Sequence, residues 1–123
     1  MTLQRRIVLA DDCSDALALM KFFLQSLGFV VISAGDGEAA VRAITEHRPE
    51  VALIDIMLPG MGGLEVAEAV RKDPNLAGVR LIACTGHGGR GHERASINAG
   101  FERHLTKPID FTQLEQLLAE RGS

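Results

Sequence analysis

Five polar side chains follow short apolar runs of this chain, and their types could act together on one reacting group. An acidic pair, Asp11 and Asp12, follows the first run, and Asp55 follows the third. Thr85 and Lys107 follow the fourth and fifth runs. Carboxylate oxygens are the ligands that Mg²⁺ prefers, and a carboxylate can also be a nucleophile that becomes an aspartyl phosphate. A hydroxyl and an ammonium group would suit the phosphoryl oxygens, because phosphoryl transfer depends mainly on positioning and charge neutralisation.

Apolar runs predict the strands that would position these groups. Four of the runs are rich in Val, Ile or Leu without polar alternation, which is typical of strands buried on both faces of a sheet. The fifth is weaker, and it directly precedes Lys107 and Pro108. The runs cover residues 7–10, 29–32, 51–54, 81–84 and 104–106.

The segments between the runs have the spacing of amphipathic helices. The first has an apolar stripe that predicts core packing, formed by Leu17, Met20, Leu24 and Leu27. Gly28 follows it as a stop signal. The second helix is predicted to open at Asp36 and the last at Asp110, with Gln113 at the spacing of a capping box. Because glycines stand at 88, 89 and 91, the fourth helix is expected to begin near His92.

Strands and helices alternate along the whole chain, which predicts the fold class. Such alternation is typical of α/β proteins with a parallel sheet, right-handed crossovers and helices on both faces. We therefore expect a doubly wound α/β fold, in which ligands bind at the carboxyl ends of the strands. A single Asp at a strand end is usually a turn or capping residue. Five suitable side chains at one edge favour a functional site instead.

Length, charge and cysteine content exclude several other classes. A chain of 123 residues, 46% apolar and 24% charged, corresponds to one globular domain. The net charge of −3, with no basic stretch, disfavours nucleic acid or an anionic membrane surface as a partner. Two cysteines are too few for a disulfide scaffold, and no apolar run has the length of a membrane span or forms a signal peptide. We expect a cytoplasmic protein without membrane insertion.

Four motifs together resemble the receiver domain of two-component response regulators. They are IVLADD at 7–12, DIMLPGM at 55–61, Thr85-Gly86 and Lys107-Pro108, and the similarity extends to the final helix. The resemblance implies a flavodoxin-like fold with five helices and a five-stranded parallel sheet in the order 2-1-3-4-5. It also implies that residues 1–123 form a single receiver domain with a core at about 5–121.

The same resemblance implies a function for the acidic residues. Asp55 would accept a phosphoryl group from a phosphohistidine of a sensor histidine kinase or a histidine phosphotransfer protein. Asp11, Asp12 and Asp55, with the backbone carbonyl of Met57, would hold Mg²⁺, or Mn²⁺ in its place. The domain would be a phosphoprotein of signal transduction that changes conformation on phosphorylation. It would assist its own phosphoryl transfer and dephosphorylation, and would not otherwise be an enzyme.

The remaining motif residues also have roles by resemblance. Thr85 and Lys107 would contact the phosphoryl oxygens, and the peptide bond between Lys107 and Pro108 would be cis. Thr85 would form a switch with His104, which stands three residues before the lysine, where the family usually has Tyr or Phe. Cys13 stands where a polar residue is common. We interpret it as a small helix-entry residue, because neighbouring carboxylates disfavour the reactive thiolate.

Two segments have amino-acid sequences that are most similar to those of receivers in bacterial hybrid sensor histidine kinases. They are LIACTG at 81–86 and AGFERHL at 99–105. The chain has no phosphoacceptor-histidine helix pair, no ATP-binding domain and no Gly-x-x-x-x-Gly-Lys loop. Two arrangements stay open, a stand-alone regulator and a fragment of a larger kinase. The sequence predicts neither the cognate kinase nor the downstream target.

The alternative function is a Mg²⁺-dependent phosphatase that forms an aspartyl phosphate on a similar fold. Such enzymes commonly have a second Asp shortly after the nucleophile, as acid and base. Here Ile56 and Met57 follow Asp55, which disfavours this alternative. A receiver-like scaffold that is never phosphorylated is disfavoured, because the site positions carry residues that are suited to phosphoryl transfer.

Two other motifs are weaker. The segment GHGGRG at 86–91 matches a dinucleotide-binding fingerprint, but it lies outside the first βαβ unit, and the next strand ends in Lys107 rather than in an acidic residue. His87, His92 and His104 do not have the spacing of a transition-metal site, and we expect solvated loop histidines. The roles of Cys13 and His87 stay open.

Overall fold

The computed structural model describes residues 5–86 and 90–120, which form five strands, five α-helices and one 3₁₀ turn, Pro74–Leu76. The strands are β1 (Arg6–Ala10), β2 (Val30–Ala34), β3 (Val51–Asp55), β4 (Arg80–Thr85) and β5 (Arg103–Thr106). The helices are α1 (Ser14–Ser26), α2 (Gly37–His47), α3 (Gly63–Arg71), α4 (Arg90–Ala99) and α5 (Phe111–Ala119). Each predicted run corresponds to one strand. None of the described helices has the length and apolar character needed to cross a membrane.

The strands form one parallel sheet in the order β2-β1-β3-β4-β5, which confirms the predicted fold class and strand order. Both β3 and β4 are buried along their whole length. The strand order reverses between β1 and β3, because the chain first moves outward to β2 and then returns across β1. Loops leave such a point in opposite directions, so a crevice opens at the carboxyl ends of the two strands. Asp11 and Asp55 stand at this crevice.

Strand side chains alternate between two cores on opposite faces of the sheet. Ile7 and Leu9 pack in the layer of α1 and α5, together with Leu24 of α1. Val8 packs in the layer of α2 and α3, together with Val66 of α3. Because helices cover both faces, the interior positions of β1, β3 and β4 are all apolar, which explains the runs without polar alternation.

The helix starts that the sequence predicts are confirmed at α2 and α5. Asp36 accepts a hydrogen bond from the backbone N–H of Ala39 at 2.8 Å. Asp110 accepts from the backbone N–H groups of Thr112 and Gln113 at 2.8 and 3.2 Å. Each such cap satisfies N–H groups that have no partner within the helix, and it contributes about 1 kcal/mol to stability.

The first helix departs from its predicted stripe at one end. Three of the four stripe residues pack against the core, with Leu24 fully buried, but Leu27 is 37% exposed. The prediction of core packing is wrong for Leu27, which is the C-cap residue that follows the last residue of α1. Phe23, which the stripe left out, packs against the same core and stacks on Phe111 with 4.3 Å between ring centroids.

The fourth helix begins at Arg90, slightly before the predicted start near His92. Gly91 therefore lies in its first turn. A glycine there is tolerated because the first backbone N–H groups of a helix have no intrahelical partner in any case. The expectation of a solvated loop histidine at His87 falls on residues 87–89, which lie outside the described residues.

Candidate functional site

Three of the predicted site residues form one acidic cluster at the carboxyl edge of the sheet. Asp55 is the last residue of β3, and Asp11 and Asp12 directly follow β1. One carboxylate oxygen from each of the three lies within 4.8 Å of the others. Asp11 and Asp55 are buried, whereas Asp12 is exposed. The structure therefore brings together the carboxylates that the sequence assigned to a metal site.

Each buried carboxylate is oriented by its own turn. Oδ1 of Asp11 accepts a hydrogen bond from the backbone N–H of Cys13 at 2.9 Å. Oδ1 of Asp55 accepts one from the backbone N–H of Met57, also at 2.9 Å. A side chain bonded two residues ahead closes an Asx turn, which restricts its rotation. In both residues the second oxygen, Oδ2, is left for another partner.

That partner is Lys107 in both cases. Its Nζ lies 2.7 Å from Oδ2 of Asp11 and 2.9 Å from Oδ2 of Asp55. Its backbone N–H donates to the carbonyl oxygen of Thr85 at 2.6 Å, which anchors the residue beside β4. The sequence assigned Lys107 to phosphoryl oxygens, but here its ammonium group bridges two acidic residues. This positive charge offsets the repulsion between the neighbouring carboxylates.

The bridge keeps Lys107 charged. Burial lowers the pKa of its ammonium group, but the hydrogen bonds to Asp11 and Asp55 outweigh that effect, so the pKa lies above its ordinary value. A raised pKa contributes stability that is fully present below the unfolded-state pKa of about 10.4 and is lost as the pH rises further. Lys107 is therefore a fixed cation throughout the neutral pH range.

The predicted switch residues are in direct contact, and the expectation that His104 is a solvated loop histidine is wrong, because it lies in β5 and is half-buried. Thr85 is 2% exposed at the end of β4, and its Oγ1 lies 2.9 Å from Nε2 of the half-buried His104. Asp55 pairs with Cys84 across β3 and β4, and His104 pairs with Ala83 across β4 and β5. The register thus places Thr85 on the strand between that of Asp55 and that of His104.

Two predictions concern the backbone of the site. The peptide bond between Lys107 and Pro108 is cis, as the resemblance implies. Met57 has a 69% exposed side chain, and its backbone N–H is bound to Asp55. The assignment of its carbonyl oxygen as a metal ligand stays a prediction.

The sequence pattern of the response regulator receiver domain family matches residues 7–119. This chain is a response regulator receiver domain. The match covers nearly the whole chain, including the acidic cluster and Lys107, and it confirms the resemblance described above.

The receiver domain is similar to parts of longer proteins. It is 31% identical over 116 residues to the sensor protein GacS of Pseudomonas syringae pv. syringae, covering 92% of this chain and 13% of that protein. It is 34% identical over 122 residues to the transcriptional regulatory protein PrrA of Mycobacterium tuberculosis, covering 96% of this chain and 52% of that protein. The chain thus spans about half or less of the length of these relatives.

Solved receiver structures share the fold. The receiver domain of a sensor histidine kinase of Pseudomonas aeruginosa, 29% identical, superposes with a TM-score of 0.89 over 98% of this chain and 100% of that chain. That structure has a magnesium ion coordinated in its active-site cleft. A receiver domain protein of Methanospirillum hungatei, 28% identical, superposes with a TM-score of 0.88 over 97% of this chain and 94% of that chain.

The weaker motifs give no second site among the described side chains. Within that part of the molecule, the acidic cluster is the group able to hold a metal ion. Cys13 is exposed at the N-cap position of α1, as expected for a helix-entry residue. Burial raises the pKa of the Cys84 thiol to about 12, so this thiol is neutral. The segment 86–91 and His87 lie partly or wholly outside the described residues.

The sequence analysis did not identify a role for two glycines that allow close backbone contacts with the end of β3 and the loop after it. A Cβ on Gly37 would lie 1.8 Å from the carbonyl oxygen of Met61, and one on Gly63 would lie 2.5 Å from the carbonyl oxygen of Asp55. Both glycines are the first residues of helices, α2 and α3. Backbone can approach backbone this closely only where no side chain intervenes. Because glycine is common at helix starts, the positions of these two glycines in the sequence do not indicate that they allow a close backbone contact.

Proposed function

We propose that this receiver domain takes a phosphoryl group on Asp55 from a phosphohistidine of a sensor histidine kinase or a histidine phosphotransfer protein. The observation that supports this most is the acidic cluster, with Lys107 bound to two of its carboxylates. A nucleophilic carboxylate, oxygen ligands for a metal and a fixed cation are the parts that phosphoryl transfer needs. Sensor histidine kinases are among the relatives, which supports a phosphohistidine as the donor of the phosphoryl group.

In the transfer, a carboxylate oxygen of Asp55 attacks the phosphorus atom. The new O–P bond forms as the N–P bond of the phosphohistidine breaks, and the electron pair of that bond returns to the imidazole nitrogen. The carboxylate is already held by the N–H of Met57 and the ammonium group of Lys107. A nucleophile held in place before its partner arrives has less freedom to lose in the transition state.

The acidic cluster fits Mg²⁺, or Mn²⁺ in its place. Its donors are all carboxylate oxygens, and exposed Asp12 leaves a side of the cluster open to water, which Mg²⁺ usually retains. Asp11, Asp12 and Asp55, with the carbonyl oxygen of Met57, would hold the ion. When bound, the ion would neutralise charge on the phosphoryl oxygens. The magnesium ion in the Pseudomonas aeruginosa receiver supports this assignment.

Lys107 and Thr85 would contact the phosphoryl oxygens after transfer. The ammonium group of Lys107 is 2.9 Å from Asp55, so a group added to this carboxylate comes within its reach. The Thr85 hydroxyl has one proton, and if it donates that proton to a phosphoryl oxygen, it can only accept in its bond with His104. Phosphorylation would thereby fix the direction of the Thr85–His104 hydrogen bond. This change would start the switch that a downstream target detects.

The proposal extends to the organisation of the chain. Residues 1–123 would be a single receiver domain with a core at about 5–121, acting in the cytoplasm on protein partners rather than on nucleic acid or membranes. The domain would promote only its own phosphorylation and dephosphorylation. A phosphatase that forms an aspartyl phosphate is not favoured, because Met57 offers no carboxylate two residues after Asp55.

The proposed phosphorylation is tested by mass. Incubation with a small acyl-phosphate donor and Mg²⁺ should add one phosphoryl group per chain. Hydroxylamine should remove it, because an acyl phosphate is cleaved by this nucleophile. A chelator added before the donor should prevent the mass increase. No addition in Mg²⁺, or an addition that hydroxylamine leaves in place, would contradict the proposal.

Mg²⁺ should also raise the thermal midpoint of the unphosphorylated protein. A ligand that binds only the native state at about ten times its Kd stabilises it by about 1.4 kcal/mol. For a domain of this size, that corresponds to a rise of about 4–7 °C. Asp12→Ala should remove most of the rise, since it deletes a ligand. Circular dichroism is the suitable measurement, because the chain has no Trp or Tyr.

Asp15→Ala is the matched control for this measurement. Asp15 is an exposed carboxylate in the first turn of α1, outside the acidic cluster. This variant should keep the full rise. An unchanged midpoint of the wild-type protein in saturating Mg²⁺, or equal losses in both variants, would argue against the metal site.

A further inference from the structure

A cavity of about 210 Å³ lies beside the acidic cluster, between α1 and the segment that joins β5 to α5. Most of its walls are apolar side chains, among them Leu9, Ala16, Met20, Ile109 and Phe111. An engineered apolar cavity of about 150 Å³ is large enough to bind benzene. The space is therefore sufficient for a compact molecule of the size of an aromatic ring.

Few polar side chains lie in the walls. They belong to Asp11, Lys107 and Cys84. The Lys107 ammonium group is bound to Asp11 and Asp55, and the Cys84 thiol is buried. A bound water needs two to four polar partners, and no buried side-chain nitrogen or oxygen of the described residues lacks a hydrogen bond. A charged or strongly polar ligand would lose its hydration without compensation, whereas an apolar ligand would not.

The cavity can be reached from solvent. Leu19, which forms part of its wall, is 61% exposed. On the other side, the wall residue Phe111 of α5 stacks on Phe23 of α1, which fixes the position of this wall. We propose that this cavity is a binding site for a small, uncharged, apolar molecule such as a single aromatic ring.

The cavity shares two lining residues, Asp11 and Lys107, with the phosphoacceptor site. A ligand in the cavity would pack against the side chain of Lys107 and against Pro108. It would thereby hold the ammonium group in its present position between Asp11 and Asp55. During transfer the ammonium group has to move from Oδ2 of Asp55 to a phosphoryl oxygen, so a ligand that restrains it should slow phosphorylation. This coupling rests on the proposed function, whereas the binding itself does not.

Benzene is the probe for binding. Carbon-13 methyl signals of Met20 in the unphosphorylated protein should shift saturably as benzene is added. Ala16→Leu, which places a larger side chain into the cavity, should weaken binding at least about tenfold, because the space is then filled. Ala18→Leu is the matched control, since Ala18 is exposed on the same helix and is not part of the wall. Its affinity should equal that of the wild type.

The outcomes distinguish the existence of the binding site from its coupling to phosphorylation. Shifts that do not saturate, or equal affinity in Ala16→Leu, would overturn the binding site, and the wild-type titration decides even if that variant does not fold. With benzene bound, labelling of Asp55 should be at least twofold slower in the wild type and unchanged in Ala16→Leu. Saturable binding with an unchanged rate would overturn the coupling alone. Absence of labelling without benzene would instead overturn the proposed function.

Discussion

Asp55→Asn should reduce phosphorylation by the acyl-phosphate donor at least about 100-fold, because a neutral amide oxygen is a far weaker nucleophile than a carboxylate. The substitution preserves the shape of the side chain, and its oxygen can still accept the hydrogen bond from the N–H of Met57. The fold should therefore persist, and circular dichroism should show a wild-type spectrum. The measurement is the phosphorylated fraction, determined by mass at several reaction times.

Asp15→Asn controls for a general effect of removing a carboxylate near the site. Asp15 is exposed on α1 and belongs to none of the contacts of the acidic cluster, so its variant should be labelled at the wild-type rate. If Asp55→Asn were labelled as fast as this control, the phosphoryl group would be on another residue and the assignment of Asp55 would be wrong.

Gly37→Ala should lower the free energy of unfolding by about 3 kcal/mol, the upper part of the usual range for overpacked sites. The added Cβ would lie 1.8 Å from the carbonyl oxygen of Met61, and both groups belong to the backbone, so α2 or the loop after β3 must move. Helix propensity alone predicts the opposite sign, since Ala is favoured over Gly within a helix by about 1 kcal/mol. Urea unfolding followed by circular dichroism measures the difference.

Gly35→Ala is the matched control two positions away. A Cβ on Gly35 would have no neighbouring atom within 4 Å. Its unfolding free energy should stay within about 0.5 kcal/mol of the wild type, as is usual for surface substitutions. Equal stability of the two variants would show that the contact between Gly37 and Met61 relaxes without cost.

The strands, and the placement of the candidate site residues at one edge of the sheet, could be predicted because the relevant signals are local. A strand covered on both faces has to be apolar throughout, so runs such as 51–54 are visible in the sequence. Asp36 and Asp110 are visible as helix starts because a cap bonds to N–H groups only two or three residues ahead. The alternation of elements implies parallel strands, and parallel strands bring their carboxyl ends, with Asp11 and Asp55, to one edge.

Predictions at the helix ends were less accurate for a physical reason. The spacing of Leu27 continues the stripe of α1, but the helix ends before it, and its side chain is partly exposed. At α4 the glycines do not delay the start as far as His92. Periodicity describes the middle of a helix well, while its last turn depends on competition between backbone hydrogen bonds and nearby packing.

By itself, the sequence determined the element order, the apolar faces and the side chains available at the carboxyl edge. Only the tertiary structure decided how those side chains are paired. The bridge of Lys107 to Asp11 and Asp55 joins residues 96 and 52 positions apart, and the contact of Thr85 with His104 joins residues 19 apart. The approach of Gly37 to Met61 and the cavity behind Lys107 depend on how helices pack against the sheet. Distances between such groups are set by the register of strands and the packing of whole elements, and no local pattern of residues encodes them.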